Sequence, residues 1–541
     1  MTGGEQRLID PVRDDVPGAR EIRFWVPTRY NAARILFDNL AAGHAARVAV
    51  RSTTGTLTYQ SLADLSARAG NALLSLGLRR GERVLLFLND TPAYPAFFFG
   101  AARAGLVPVL TNTLAPPDLI QFYLSDAGAR ALVADVVLAD QLTPEALANT
   151  PLESVILVNG DADLPHARSA MRFEREKGRF DGALPEADTT RDDMAFWMYS
   201  SGSTGRPKGI VHLHHDMAYT AESYARQILK LTPDDICFSV PKIFFAYGLG
   251  NSITFPFAVG ASSVLHPGRA DAAAVFDVIG QFRPTVLFGV PTIYTTLVKA
   301  TEAAQADLSS LRLCISAAEV LSGEISSGWK RLSGLEIVEG LGSTEMLHIY
   351  LSNTETEKRL NASGRRVAGY EVKLVAPDGH PVADDEEGIM WVRGHSSAPL
   401  YWNRDDKTAE TMRGDWIYTG DRFVRDHDGF YYFRGRADDL IKVSGQWVYP
   451  LEVELCLADH QAVREVCVLG LELPDRRMTL KAFVVPMQDV GDRPAFEDEL
   501  RDYVKRKLLP YKYPRIIEFM SELPKTGTGK IDRQALTRRG A

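Results

Sequence analysis

The chain has 541 residues, 45% of them hydrophobic and 24% charged, with a formal net charge of −8. Single cores stop growing at about 250 to 300 residues, so two or more lobes are expected, and the average composition excludes wholesale disorder. The acidic balance offers no bulk attraction to nucleic acid or to an anionic membrane, so any phosphate must be met by local groups.

The opening, MTGGEQRLIDPVRDD, is polar where a signal peptide needs an apolar run. Cys237, Cys314, Cys456 and Cys467 show no CxxC spacing, which argues against a zinc site and a disulfide scaffold. The expectation is a cytoplasmic protein. Leu62, Leu65, Ala69, Leu73 and Leu76 recur at helical spacing with Gly77 just beyond them, which predicts one amphipathic helix. RVLLFLND from Arg83 reads as a buried strand, followed by the apolar segment Phe97 to Ala104 and then VPVLTN. Arg103, Pro95 and Pro108 interrupt this region, so it reads as core rather than a membrane span. Further strands are predicted at ALVAD (131–135), SVILVN (154–159), TVLFGVP (285–291) and LRLCIS (311–316), several with helices between them. This alternation predicts an α/β fold with parallel sheets.

Past about residue 365, GYEVKLVAPDGHPV and DGFYYFRGR alternate or turn on Asp-Gly, which predicts a small β-rich portion. RGRADDLIKVSG (434–445) has no core stripe and reads as a linker. VCVLG, KAFVVP and a helix bearing Phe496, Leu500, Val504 and Leu508 on one face then predict a compact α+β unit.

The densest cluster of chemistry is SSGSTGRPKG, Ser200 to Gly209. Runs of Gly, Ser and Thr let backbone N–H groups converge on an anion without Cβ interference, and Arg206 and Lys208 add charge. An exposed turn is the plainer alternative. It is not a Walker A loop, which ends in Gly-Lys-Ser/Thr, because Lys208 follows Pro207. The segment resembles the phosphate loop of the acyl-adenylate-forming superfamily: acyl-CoA synthetases, peptide-synthetase adenylation domains and luciferases. GLGSTE (340–345), YTGD (418–421), GRADDLIKVSG (435–445) and PKTGTGKI (524–531) resemble four further motifs of that superfamily, in the same order. The resemblance spans most of the chain. It implies a large N-terminal lobe, residues 1–434, of parallel α/β subdomains plus the small β-rich subdomain, and a small mobile α+β domain, residues 435–541, hinged near Asp438.

The reaction so implied joins a carboxylate to the α-phosphate of ATP, releases pyrophosphate, and passes the acyl group to the thiol of coenzyme A. Two anions must meet, so fixed cations and N–H donors are the electrostatic requirement. On this resemblance Ser200, Ser201, Gly202, Ser203, Thr204, Gly205 and Lys208 hold the β- and γ-phosphates, with Thr204 nearest. Glu345 takes Mg²⁺ bridging the phosphates. Glu319, Leu341, Gly342, Ser343 and Thr344 belong to the nucleotide site, and Asp421 with Arg436 meets the ribose. Lys530 enters for adenylation, touching the acyl oxygen and the α-phosphate, and Gly445 lies beside the pantetheine arm. Read alone, Thr344-Glu345 is a helix cap, Asp421 a turn residue and Lys530 a solvated lysine.

KIFFAYGLGNSITFPFAVGAS (242–262) and STEMLHIYLSN (343–353) resemble the benzoate-CoA ligase branch in particular, as does Leu341 before Gly342 in place of an aromatic residue. In that branch the matching positions, Ala246, Tyr247, Gly342 and His348, line a small flat acid pocket. An aromatic acid does want an apolar slot with aromatic walls and few polar groups. IFFAYGLG as a buried strand and His348 as a satisfied core histidine are the alternatives. VHLHHD (211–216) reads as helix-start histidines rather than a metal site. Two departures from the branch are Ala318 where Gly is usual, in SAAE, and Tyr449 where Ser is usual. The implied substrate is benzoate or a small ring-substituted benzoate such as 2-aminobenzoate. The rival reading is a freestanding enzyme loading a carrier-protein thiol. A homodimer is compatible with either.

Overall fold

The first long helix, Tyr59–Ser75, forms where the apolar spacing places it. Thr58 caps it, its hydroxyl accepting from the Ser61 N–H at 3.1 Å, and Gly77 ends the approach to the next strand in the left-handed region at φ +77°. A second helix, Ala93–Arg103, crosses it where neither chain carries a side chain: a Cβ on Gly100 would stand 2.4 Å from the Ser66 carbonyl oxygen. The structure is a computed structural model, and it describes residues 7–8, 22, 24–200, 206–300, 303, 305–318, 321–437, 441–443, 446–473, 478–488, 490–525 and 531–540.

Among the described residues two large, mainly parallel sheets flank these helices. In the first, Arg83–Phe87 lies between Val107–Leu110 and Ala131–Asp135, all parallel, with Ser154–Val158 beyond. Its other edge is Met194–Ser200, parallel to Val107–Leu110, followed by antiparallel Lys208–Leu213. In the second sheet Val286–Gly289, Leu313–Ser316 and Ile337–Gly342 run side by side in parallel, and Ile349–Ser352 turns back antiparallel. Every strand predicted from an apolar run is present. These strands are buried on both faces, which is why they read as continuous apolar runs rather than alternations. One core cluster draws Leu86 and Val133 from the first sheet's strands, Val50 from the second and Phe97 from the crossing helix, so the two halves share an interior.

Beyond them lies an antiparallel sheet in which Glu387–Arg393 pairs with Glu371–Val375 and with Trp416–Arg425, and the last of these pairs with Tyr431–Arg436. The end of the chain is a smaller α+β unit. Val463–Glu472 and Met478–Pro486 are antiparallel, Ile516–Phe519 lies parallel to the latter, and helix Arg493–Lys507 packs Phe496, Leu500 and Val504 onto them. Leu508, expected on that helix face, follows the helix end. The stretch read as a linker is partly ordered by pairing: Tyr431–Arg436 is a strand, and Ile441–Val443 forms a hairpin with Gln446–Val448. Its short charged strands lack the apolar run that marks the others. No helix among the described residues is long and apolar enough to cross a membrane.

Candidate active site

Ser200 and Lys208, the first and ninth residues of the phosphate-loop motif, face each other as the last register pair of two antiparallel strands. Ser201, Gly202, Ser203, Thr204 and Gly205 themselves lie outside the described residues, as do Glu319, Asp438, Gly445 and Lys530. At the base, the Lys208 ammonium sits 4.2 Å from the centroid of the Tyr401 ring. Burial lowers the Lys208 pKa, and the Glu345 carboxylate pulls it back up. The Tyr401 hydroxyl donates to Glu345 Oε1 at 2.7 Å, and the Ala398 N–H donates to the Glu345 carbonyl at 2.7 Å. Lys208, Glu345 and Tyr401 thus form one cluster built from three separate segments. Tyr401 was not foreseen: nothing in YWNRDD marks it, although it bridges to Ile210 through an isolated β-pair.

Strand Ile337–Gly342 delivers the second motif. Its end is irregular, the register against Ile349–Ser352 shifting between Leu341 and Gly342. A Cβ on Gly342 would stand 2.3 Å from the His348 carbonyl oxygen, so only glycine permits this approach. Ser343 Oγ accepts from the Met346 N–H at 3.3 Å, and Thr344 to Leu347 make a turn closed by a Leu347 N–H to Thr344 carbonyl bond of 3.0 Å. No helix follows, so Thr344-Glu345 is not a helix cap. His212 ties the two sheets together here: its Nε2 lies 2.9 Å from the Thr344 carbonyl oxygen and its Nδ1 2.8 Å from Asp216 Oδ2.

The histidine run is therefore not simply the start of a helix. His212 lies within the strand Lys208–Leu213, and His214 is a core residue whose Nδ1 accepts from the Ala32 N–H at 3.0 Å, with burial pushing its pKa down to about 4. Only His215 sits at the entry of a helix, Asp216–Thr220. Among the described residues no group of three or more His, Cys, Asp or Glu is placed to hold a metal by itself.

In the third motif Asp421 is a strand residue, registered opposite Arg436, whose Nη1 donates to Asp421 Oδ1 at 3.1 Å and to the Thr419 carbonyl at 3.0 Å. Gly420 takes φ +72°, and the guanidinium lies against it. The carboxylate and the cation proposed for the ribose are thus adjacent.

IFFAYGLG forms a short helix, Ala246–Leu249, continued by a π-helical turn, Gly250–Thr254, rather than a strand. Such turns accompany functional sites frequently. A Cβ on Gly248 would fall 1.9 Å from the Lys242 carbonyl oxygen, and one on Gly250 2.5 Å from His348 Nε2. The glycines therefore let the helix lie flat on its neighbours. His348 is fully enclosed by Tyr247, Tyr224 and Phe255, with centroids 5.5, 5.3 and 4.4 Å away. Neither of its ring nitrogens has a hydrogen-bond partner among the described residues. Burial drives its pKa down to about 3, with the Tyr247 backbone pulling weakly the other way, so it is a neutral ring at pH 7. Tyr247 and His348 thus pack ring to ring, Gly342 lies on the His348 backbone, and Ala246 is buried beside Tyr247 in the chain.

Of the two departures, Ala318 is exposed and adopts φ +78°, a conformation natural to glycine and strained for alanine. Tyr449 bridges two parts of the molecule: its hydroxyl donates to Glu387 Oε2 at 2.6 Å, and its ring lies near Gly435.

Residues 37–402 match the family described as AMP-binding enzyme, and residues 452–530 match the AMP-binding enzyme C-terminal domain. The chain is 40% identical to benzoate–CoA ligase of Thauera aromatica over 511 residues, covering 94% of this chain and 96% of that one. It is 42% identical to 4-hydroxybenzoate–CoA/benzoate–CoA ligase of Rhodopseudomonas palustris, covering 94% of each. Among solved structures, the anthranilate CoA ligase AuaEII in complex with anthranoyl-AMP superposes with a TM-score of 0.90 at 37% identity, covering 95% of this chain and 98% of that one. A benzoate CoA ligase from Burkholderia xenovorans LB400 superposes with a TM-score of 0.85 at 40% identity, covering 94% of this chain and all of the other.

Proposed function

The chain belongs to the AMP-binding enzymes, in the benzoate–CoA ligase branch of the acyl-adenylate-forming superfamily, and from that premise we propose that it is an aryl acid:CoA ligase. It converts a small benzoate-type acid, ATP and coenzyme A to aryl-CoA, AMP and pyrophosphate. The observation that supports this reading is the adjacency of two groups along one turn: Gly342 lies on the backbone of His348, whose ring packs against Tyr247, and Glu345 between them accepts from Tyr401, whose ring carries Lys208.

In the first half-reaction an acid oxygen bonds to the α-phosphorus and the bond to pyrophosphate breaks. Charge accumulates on the phosphoryl oxygens, so preorganised donors and cations there stabilise the transition state more than the ground state. The amide-rich loop between Ser200 and Lys208 and the Lys208 ammonium supply them. Glu345 presents a hard carboxylate of the kind Mg²⁺ takes singly alongside substrate phosphates, and the Tyr401 hydroxyl fixes its orientation. Bound there, Mg²⁺ neutralises phosphate charge. Asp421 accepts from the ribose hydroxyls with Arg436 beside it. Lys530 adds a positive charge at the acyl oxygen and α-phosphate.

In the second half-reaction the thiol sulfur bonds to the acyl carbon and AMP leaves. Residues 435–541 turn about Asp438 to withdraw Lys530 and present Gly445 to the pantetheine arm, a gating motion of the kind that completes sites in turn. The neutral His348 ring sits among aromatic walls, which suits a flat acid whose only strong charge is the carboxylate.

The test is incubation with benzoate, 2-aminobenzoate or hydroxybenzoates, ATP, Mg²⁺ and free coenzyme A, with thioester and pyrophosphate followed separately. Aryl-CoA is expected. Pyrophosphate release without any thioester would favour a carrier-protein acceptor, and no pyrophosphate with any aryl acid would refute the reading.

A further inference from the structure

Asn251 is fully buried on the π-helical turn, one residue past the glycine that packs on His348 Nε2. Its Nδ2 makes one long contact, 3.5 Å to Ser239 Oγ, and its Oδ1 has no partner among the described residues. One helical turn before it, the buried Tyr247 hydroxyl has the Asn251 side chain as a polar neighbour but no hydrogen bond of good geometry, and both nitrogens of His348 lack one as well. Ser239 is already committed, donating to the Pro241 carbonyl at 2.9 Å. The same small volume that holds the aryl-pocket residues therefore concentrates an amide oxygen, a phenol and an uncharged imidazole, none of them satisfied.

Buried polar atoms are nearly always hydrogen-bonded, and a group left without a partner is destabilising. A cluster of them beside a proposed ligand slot is explained if the ligand completes them. A carboxylate cannot, because Asn251 Oδ1 only accepts. An N–H or O–H on the aromatic ring can. A slot of this kind discriminates against an analogue that lacks the donor, because the protein's own polar atoms then remain unpaired in the complex.

We infer that Asn251 is a specificity-determining residue of the aryl-acid site, and that the acid it favours carries a hydrogen-bond donor on its ring, an amino- or hydroxy-substituted benzoate. The inference rests on the aryl acid:CoA ligase reading and narrows it. Tyr247 and His348 shape the slot, and Asn251 supplies the acceptor that separates benzoate from its donor-bearing analogues. Ser239 holds the amide so that the oxygen, not the nitrogen, is left for the ligand.

The experiment is a pyrophosphate-release assay of the full chain with benzoate, 2-aminobenzoate and 2-, 3- and 4-hydroxybenzoate, repeated with Asn251→Leu, which keeps the bulk and removes the acceptor. The wild type is expected to favour at least one donor-bearing acid over benzoate by about tenfold or more in kcat/KM, and Asn251→Leu to shrink that ratio by about fivefold or more. Asn251→Asp, which keeps an acceptor, is expected to retain the preference if Asn251→Leu melts well below the wild type. Benzoate preferred over every donor-bearing acid, or a ratio unmoved by both substitutions, would overturn the inference while leaving the ligase reading intact. No turnover with any aryl acid would instead overturn the ligase reading, and the inference with it.

Discussion

The Tyr401 hydroxyl donates to Glu345 Oε1 at 2.7 Å while the face of the same ring carries the Lys208 ammonium. One side chain thus spaces the cation and the carboxylate that the ligase reading assigns to the phosphates and to Mg²⁺. Hydrogen bonds to a charged group contribute about 1.5 to 3 kcal/mol. Tyr401→Phe, which keeps the ring, is expected to lower kcat/KM for MgATP by about tenfold or more. Tyr401→Leu, which also removes the cation–π contact, is expected to cost further. Steady-state kinetics at varied ATP checks this, and a Phe variant equal to the wild type would disprove the spacing role.

Gly342 lets one backbone segment lie on another. Its missing Cβ would meet the His348 carbonyl oxygen and backbone atoms of Ile349, whereas a Cβ on Gly340 would meet the side chain of Ile349. Backbone cannot rotate away as a side-chain tip can. Overpacking costs about 1 to 3 kcal/mol, so Gly342→Ala is expected to lower the denaturant midpoint and to raise KM for the acid. Gly340→Ala should have the milder effect. Equal loss in both variants would contradict the backbone argument.

Glu339, half-buried on the strand that ends at Gly342, accepts from the Leu321 N–H at 3.4 Å, and desolvation pushes its pKa up to about 7 from the ordinary 4.5. Between these values the folded state holds a proton that the unfolded state has lost, so stability falls as pH rises from 4.5 through 7. Above pH 7 the stabilisation is gone. Glu339→Gln is expected to flatten the melting-temperature profile over that interval and to melt above the wild type at pH 8. Parallel profiles would show that the carboxyl is not held in this way.

Lys530 bears on one half-reaction if the small domain swings. Removing a transition-state contact of this type costs about 10² to 10³ in rate. Lys530→Ala is expected to lose aryl-adenylate formation to that extent and to retain conversion of supplied aryl-adenylate to aryl-CoA. Single-turnover measurement of each half separates them, and equal loss in both would count against the exchange of lobes.

Tyr449 and Glu387 hold the helix Pro450–Ala458 against the antiparallel sheet, and Glu387 is itself paired with Arg422. A swing of the small domain has to break or carry this contact. Tyr449→Phe is expected to move the two half-reaction rates in opposite directions, by about two- to tenfold for one neutral-to-charged hydrogen bond. A variant in which both rates change together would assign Tyr449 a purely structural part.

The α/β architecture, the buried strands and the order of the motifs were legible in the sequence because they depend on local patterns: an apolar run long enough for a strand, a 3.6-residue repeat, a glycine where a helix must stop. The Asp421–Arg436 pair was legible too, since both lie in recognisable motifs on paired strands. Tyr401 was not, because a tyrosine in a polar loop looks the same whether it faces water or a carboxylate 56 positions away. Asn251 was hidden for the opposite reason: inside an aromatic stretch it reads as part of a packed element, and only the enclosed structure reveals that its oxygen is left without a partner.

The sequence by itself determined the family and the strand and helix pattern, which follow from residue type and spacing along the backbone. The tertiary structure alone decided which groups share a dielectric environment. It put the Lys208 ammonium over the face of a tyrosine ring and Glu345 at that ring's hydroxyl, turned His348 into an uncharged imidazole by enclosing it, and left the buried Asn251 oxygen without a donor among the described residues. Burial and contact depend on segments far apart in the chain, and no local pattern encodes them.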